Sequence, residues 1–153
     1  MALYTAIERQ TIQPNADAIF TLNPIPCNRG FVRWRPGYPG FILAGKVCRK
    51  PCGCFPRSAN YSIHFDGNIA ISEGGTVEPI SIAIALDGSA VPASQMISTP
   101  AAAEEFNAVS KNIEVDIWSG CCETITIRNI SNQAIDLENA VIEISRPDLT
   151  VTL

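Results

Sequence analysis

Strict alternation of apolar and polar residues runs through several segments of the chain. In YSIHFDGNIAIS, which begins at Tyr61, the large apolar side chains fall on one face and the polar side chains on the other. The segments IEVDIW (113–118) and ETITIRNI (123–130) alternate in the same way. Period-two alternation is typical of antiparallel strands that pack one face on a core and expose the other. These segments therefore predict half-buried strands.

The segment PISIAIALDG differs because both of its faces are apolar. One face carries isoleucines and a leucine at 80, 82, 84 and 86, and the reverse face carries Ala83 and Ala85. A strand of this kind lies in the middle of a sandwich or presents small residues to a neighbouring subunit.

Two further segments have less regular patterns. In IDLENAVIEIS the apolar set moves by one position between Leu137 and Ala140, and such a slip predicts a bulge near Asn139. AAAEEFNAVSK, residues 101–111, has helical propensity but follows Pro100 and lies between strands. A short helix and a loop-like strand are both open there.

Turn sequences separate these strands. They include PNAD at 14, RPGYPG at 35, SEGG at 72, LDGS at 86 and ISNQ at 130. Strands at this spacing predict an all-β antiparallel sandwich or barrel with about nine or ten strands. The 153 residues suit one domain, 1–153, with basic, cysteine-containing strands and loop in 1–60 and the core strands in 61–153.

Composition and the chain start favour a protein made in the cytosol. Apolar residues make up 46% of the chain and charged residues 17%, which fits a packed core rather than disorder. The start MALYTAIERQ lacks the features of a secretory signal, and no stretch approaches the eighteen apolar residues of a membrane span. We expect neither a membrane nor a nucleic acid as partner, and no cofactor.

Charge is divided unevenly along the chain. Residues 1–57 carry eight Lys/Arg and two acids, whereas residues 58–153 carry three Lys/Arg and thirteen acids. Such asymmetry indicates a docking face or complementarity between copies. The predicted docking or ligand surface comprises Arg29, Arg33, Arg35, Tyr38, Lys46, Arg49, Lys50 and Arg57.

Part of this surface also has the composition of a ligand site. GFVRWRPGYPGF interleaves aromatic residues with Arg33 and Arg35 on a predicted hairpin, a combination that suits sugar rings, peptides or single-stranded nucleic acid. Ordinary strand content is the alternative, and alternation then places Trp34 in the core and leaves Tyr38 exposed at the tip.

Six cysteines are unusual for a chain made in a reducing compartment. They are Cys27, Cys48, Cys52, Cys54, Cys121 and Cys122. The spacing C-x3-C-x-C lacks a zinc knuckle and the chain has one His, so a zinc site built from Cys27, Cys48, Cys52 and Cys54 is the weaker alternative. We predict that the cysteines form disulfide staples, within or between subunits.

No motif indicates an enzyme. His64 lies two residues from Asp66, but the sequence has no G-x-S-x-G nucleophile elbow, no P-loop and no dinucleotide fingerprint. A surface histidine is the favoured interpretation.

The order of features from 61 to 146 resembles a known family. FDGNIAIS, PISIAIALDG, STPAA, TITIRNIS and AVIEISR occur in the order found in jelly-roll heads of the tumour necrosis factor and complement type. Relatives of these heads occur on bacterial spores and among head genes of phages that infect Firmicutes. The resemblance implies a jelly-roll sandwich and a symmetric trimer with an apolar strand near the axis, formed by Ile80, Ile82, Ile84 and Leu86.

The resemblance also implies a function. The chain has no Gly-X-Y stalk, which favours a stand-alone, non-enzymatic trimer that coats a particle. The leading expectation is a phage capsid decoration or head-fibre subunit on the virion surface, bound to a capsid lattice protein. A spore-coat or spore-appendage subunit on the spore surface is the first alternative, and a module that binds surface glycans is the second.

Overall fold

The computed structural model describes residues 1–27, 31–45, 58–118 and 122–147. They form two six-stranded antiparallel sheets. The strands are β1 (Ala2–Ala6), β2 (Gln10–Ile12), β3 (Leu22–Ile25), β4 (Val32–Arg33), β5 (Phe41–Leu43), β6 (Ser58–Ile71), β7 (Ile80–Leu86), β8 (Ser89–Ala90), β9 (Met96–Ser98), β10 (Asn107–Trp118), β11 (Glu123–Asn129) and β12 (Ile135–Ser145). A 3₁₀ turn, Pro92–Ser94, lies between β8 and β9.

The two sheets pack face to face around one hydrophobic core. The first sheet has the order β10-β6-β12-β1-β3, and β2 pairs with the end of β12. The second sheet has the order β4-β5-β11-β7-β8, and β9 also pairs with β7. This is the predicted antiparallel jelly-roll sandwich. Its strands outnumber the nine or ten expected because several have only two or three residues.

Strand β6 follows the predicted alternation along its whole length. Tyr61, Ile63 and Phe65 are fully buried, and the polar residues between them face outward. Gly67 takes an inward position, where a Cβ would lie 3.0 Å from Leu137 Cδ1. The missing side chain at Gly67 therefore lets β12 pack closely on β6.

Strand β7 has two buried faces, as its sequence predicts, and it lies inside the second sheet, with β11 paired along one edge and β8 and β9 along the other. Ile80, Ile82 and Ile84 are 0% exposed within a single chain. These three side chains have no accessible surface that could contact another chain, so their assignment to a trimer interface is wrong. Of the four residues assigned to that interface, only Leu86 is partly exposed.

The reverse face of β7 is covered without a partner subunit. Ala83 and Ala85 are also fully buried. Arg128 lies directly opposite Ala83 on β11, donates to the Gly88 carbonyl and pairs with Asp17 at 3.0 Å, so its side chain crosses this face. Small residues are needed here because an arginine side chain lies over them.

The bulge predicted near Asn139 is present. The pairing of β12 with β6 shifts register between Glu138 and Val141, and Asn139 has a φ of 49°. Asparagine tolerates this left-handed conformation better than most residues. The segment 101–111 forms no helix: turns occupy its first residues and β10 begins at Asn107. Among the described residues, no helix has the length and apolar character required to cross a bilayer.

Candidate functional site

The hairpin β4–β5 at one edge of the second sheet carries the predicted ligand residues. Val32 pairs with Leu43 and Arg33 pairs with Ile42. The connection contains a tight turn in which the Tyr38 amide donates to the Arg35 carbonyl at 3.0 Å. Pro36 and Gly37, with a φ of 77° at Gly37, form the centre of the turn, as type II geometry requires. The turn therefore brings the side chains of Arg35 and Tyr38 close together.

The hairpin is held firmly on the body of the sandwich. The Gly37 amide donates to the Phe20 carbonyl at 3.1 Å. Below the hairpin, the ring centroid of Tyr4 lies 5.0 Å from that of Trp34 and 4.6 Å from that of Phe41. These tilted aromatic contacts fix the inner wall of the hairpin. As the sequence predicts, Trp34 packs against the core and Tyr38 is 58% exposed.

The β4–β5 hairpin carries an open cleft of about 330 Å³. It is lined by Arg33, Trp34, Arg35, Tyr38, Gly40 and Ile42. None of the described residues that line it is acidic. Gly40 allows the hairpin to close onto β11, because a Cβ at this position would lie 2.6 Å from Thr124 Cγ2. The structure thus brings together three of the eight predicted docking residues.

The other predicted docking residues lie outside the described part of the chain. They are Arg29, Lys46, Arg49, Lys50 and Arg57. Their membership of one docking surface with Arg33, Arg35 and Tyr38 stays a prediction.

Two of the six cysteines lie within the described residues. Cys27 has a free thiol and is partly buried, while Cys122 is exposed just before β11. The pKa of Tyr4 is raised to about 12, mainly because the side chain is buried and to a smaller extent because of the negative charge of a Cys27 thiolate. Cys48, Cys52, Cys54 and Cys121 lie outside the described ranges, so the disulfide staples stay a prediction.

The zinc alternative involves mostly the same residues. Three of its four cysteines, Cys48, Cys52 and Cys54, lie outside the described ranges. Among the described residues, no group of three or more His, Cys, Asp or Glu side chains could hold a metal ion.

His64 and Asp66 form a pair on the outer face of the first sheet. His64 Nε2 lies 2.7 Å from Asp66 Oδ2, and both side chains are substantially exposed. Hydrogen bonds from Ser110 and from His64 hold the pKa of Asp66 below its ordinary value. Ser110 donates to the carboxylate rather than to the imidazole, so the order needed for serine activation, with His64 between Ser110 and Asp66, is not present.

An ion-pair network centred on the buried Asp136, at one end of the sandwich, was not predicted. Asp136 accepts hydrogen bonds from the Thr11 hydroxyl at 2.7 Å, the Ser72 hydroxyl at 2.9 Å and Arg9 Nε at 3.0 Å. Arg9 also contacts Glu104 at 3.1 Å. The signal available in the sequence was an acidic residue between the apolar Ile135 and Leu137, a position that alternation alone would place on the solvent face.

The first sheet has two incompletely covered apolar regions. At its open edge on β10, the core-facing Ile113 and Val115 are only partly buried. At the other side, Leu3, Leu22 and Ile25 lie on the outer face, where Leu22 is 53% and Ile25 is 38% exposed. We call these regions the open edge and the outer patch.

Comparison with known proteins identifies the fold. No family model and no curated protein matches the chain. Among solved structures, the globular domain of zebrafish complement 1qA protein matches 95% of this chain and 95% of its own, with a TM-score of 0.62 and 7% identity. The Eiger TNF of S. frugiperda covers 100% of this chain and 98% of its own, with a TM-score of 0.61 and 11% identity.

A third solved structure agrees. Murine APRIL covers 93% of this chain and 98% of its own, with a TM-score of 0.51 and 8% identity. The protein therefore has the jelly-roll sandwich fold of tumour necrosis factor and complement-head domains. At these identities the likeness concerns the fold.

Proposed function

We propose that the protein is a non-enzymatic structural subunit that assembles as a homotrimer on the surface of a larger particle, in the first instance as a phage capsid decoration or head-fibre protein. The observation that carries the proposal is the presence of two apolar regions, the open edge and the outer patch, on different sides of one sheet. The described residues of one chain leave both regions incompletely covered.

The apolar side chains at the open edge are less buried than the residues that pair with them on β6. Ile113 is only partly buried, although Ile63, directly opposite on β6, is fully buried. The same holds for Val115 and its partner Tyr61. Edge strands of natural sheets are normally protected by a covering segment, charge or a partner. A second copy packed against β10 would bury these side chains.

The outer patch supplies a complementary surface. Leu3 lies opposite Ile25 in the sheet, and Leu22 lies opposite Thr5, two residues along β1 from Leu3. Because alternate residues of a strand share a face, the side chains of Leu3, Leu22 and Ile25 lie on the same side of the sheet. A contact between the open edge of one copy and the outer patch of the next joins two different surfaces. Contacts of that type close into rings when the rotation permits, and three copies agree with the assembly that the sequence resemblance implies.

Attachment to a particle rests on multivalency. The sequence from residue 58 onward is acidic, whereas residues 1–57 are basic, and we propose that the basic segment docks on an acidic lattice while the acidic segment faces solvent. Three copies of a weak docking surface on one rigid trimer bind far more tightly than one.

Variants of the outer patch test the assembly. Leu22→Asp and Ile25→Asp each place an unpaired carboxylate in the proposed interface, which should raise the dissociation constant by 100-fold or more, equivalent to about 3 kcal/mol. Ile97→Asp is the matched control, because Ile97 is 62% exposed and lies on β9 in the second sheet. Light scattering during gel filtration should detect monomers for the patch variants alone. Monomers in all three variants, or in none, would contradict the proposed contact.

Proteomics of the source strain tests which kind of particle carries the protein. Purified virions and purified spores are digested and the abundance of this chain is compared with that of the major capsid and coat proteins. Stoichiometric amounts in virions support the phage assignment, and enrichment in spores alone would replace it with the spore-surface alternative. Absence from both would refute the particle role.

A further inference from the structure

We propose that the β4–β5 cleft binds a sugar ring that carries a carboxylate, such as a uronic or sialic acid residue. In this arrangement Arg33 and Arg35 hold the carboxylate and Tyr38 stacks on the apolar face of the ring. The inference goes beyond the particle role and does not depend on which particle carries the protein.

The arginines of the cleft differ from others in the protein. Arg9 is paired with Asp136 and Glu104, and Arg128 is paired with Asp17. Within the described residues, Arg33 and Arg35 form no ion pair. One unpaired arginine on a surface is ordinary. Two that line the same cleft without any acidic side chain create a local site for an anion.

The polar groups of the lining side chains are all donors or hydroxyls. Guanidinium groups donate and cannot accept, and the Tyr38 hydroxyl can do either, whereas the indole N–H of Trp34 is buried and does not reach the cleft. A neutral sugar presents many hydroxyl donors, which need acceptors such as carboxylates or amides. A carboxylate instead presents only acceptors, and its planar geometry matches the fork of an arginine side chain.

The aromatic component distinguishes a sugar from other anions. Tyr38 is 58% exposed at the tip of a turn that is fixed by the hydrogen bond from Gly37 to Phe20. A rigid, exposed ring loses little entropy when a ligand stacks on it. An acidic peptide carries carboxylates without an adjoining ring face. A long nucleic acid would be repelled by a chain with a net charge of −4.

The cleft has the size expected for such a ligand. Its volume of about 330 Å³ lies at the lower end of the range of roughly 300–1,000 Å³ that is common for small-molecule sites. One ring with its carboxylate fits that space better than an extended oligosaccharide, so recognition should centre on a single acidic residue of the glycan.

A glycan array with uronic- and sialic-acid termini, matched neutral glycans and acidic peptides tests the inference. The wild-type protein should bind acidic glycans in preference to their neutral counterparts, and binding should weaken at high salt. Arg33→Gln, Arg35→Gln and Tyr38→Ala should each reduce affinity roughly tenfold. Lys111→Gln is the control, because it removes one positive charge on β10, in the other sheet.

Each other outcome overturns the inference. Equal binding of neutral and acidic glycans would assign the cleft to stacking alone, and binding of acidic peptides alone would make it a protein-docking site. No binding to any acidic glycan would refute the ligand class directly. The light-scattering mass of the three cleft variants separates this failure from a failure of the trimer, since Arg33, Arg35 and Tyr38 lie away from both the open edge and the outer patch.

Discussion

Replacing Asp136 with alanine should lower the free energy of unfolding by about 3 kcal/mol. The carboxylate is almost fully buried, and it accepts hydrogen bonds from Thr11, Ser72 and Arg9. A hydrogen bond to a charged group contributes about 1.5–3 kcal/mol, but the three bonds share one acceptor and are not additive. Because the Arg9 side chain is 43% exposed, solvent screens its share.

The magnitude is measured by urea unfolding at neutral pH. For a chain of this length, 3 kcal/mol corresponds to a fall of roughly 6–12 °C in melting temperature. Glu138→Ala, on the same strand but partly exposed, is the control and should change stability by less than about 0.5 kcal/mol. A loss below 1 kcal/mol for Asp136→Ala, with the control unchanged, would refute the view that this network anchors the end of the sandwich.

The same network predicts how stability depends on pH. Burial acts to raise the pKa of Asp136, but hydrogen bonds from Thr11, Arg9 and Ser72 outweigh it, and the pKa lies below its ordinary value. A carboxylate with a lowered pKa stabilises the fold above its unfolded pKa of about 3.9 and loses that contribution as the pH falls through the folded pKa. The stability difference between wild type and Asp136→Asn should therefore shrink on acidification. A difference that stays constant in acid would contradict the assignment.

Three further predictions concern the core and the cysteines. Tyr61→Phe removes a hydroxyl that donates to the Ala44 carbonyl at 2.6 Å and the Phe31 carbonyl at 3.1 Å. This substitution should lower the free energy of unfolding, measured with a chemical denaturant, by about 1–3 kcal/mol. An unchanged unfolding midpoint would contradict the prediction. Ser94→Ala removes the fully buried hydroxyl that bonds both the amide and the carbonyl of Ile84, and a similar loss of unfolding free energy is expected. Ser89→Ala, at an exposed position, is the control and should leave the unfolding free energy unchanged. Mass spectrometry without reductant should show Cys48, Cys52 and Cys54 in disulfides, each worth about 2–4 kcal/mol; six free thiols with one zinc per chain would overturn that prediction.

Alternation predicted the strands well because it reports which side of a strand meets the core. Tyr61, Ile63 and Phe65 are buried as expected, and the shift at Asn139 marks a real bulge. Alternation does not report what lies across the outer face. For this reason the two-sided strand β7 was assigned to a subunit contact, although Arg128 from the neighbouring strand covers its alanines within the same chain.

The candidate site could be predicted only where it is local in sequence. Arg33, Arg35 and Tyr38 lie within one hairpin, and the Pro36–Gly37 turn that groups them is visible in the sequence. The Arg9–Asp136 pair joins residues 127 positions apart. The open edge and the outer patch likewise depend on strand order, which periodicity does not determine.

Sedimentation equilibrium of the native protein tests the central claim most directly. With a chain mass of 16.5 kDa, a homotrimer should give a single species of about 50 kDa at micromolar concentration, without added ligand and with or without reductant. A monomer of one chain mass under these conditions would contradict the assembly on which the proposed function rests.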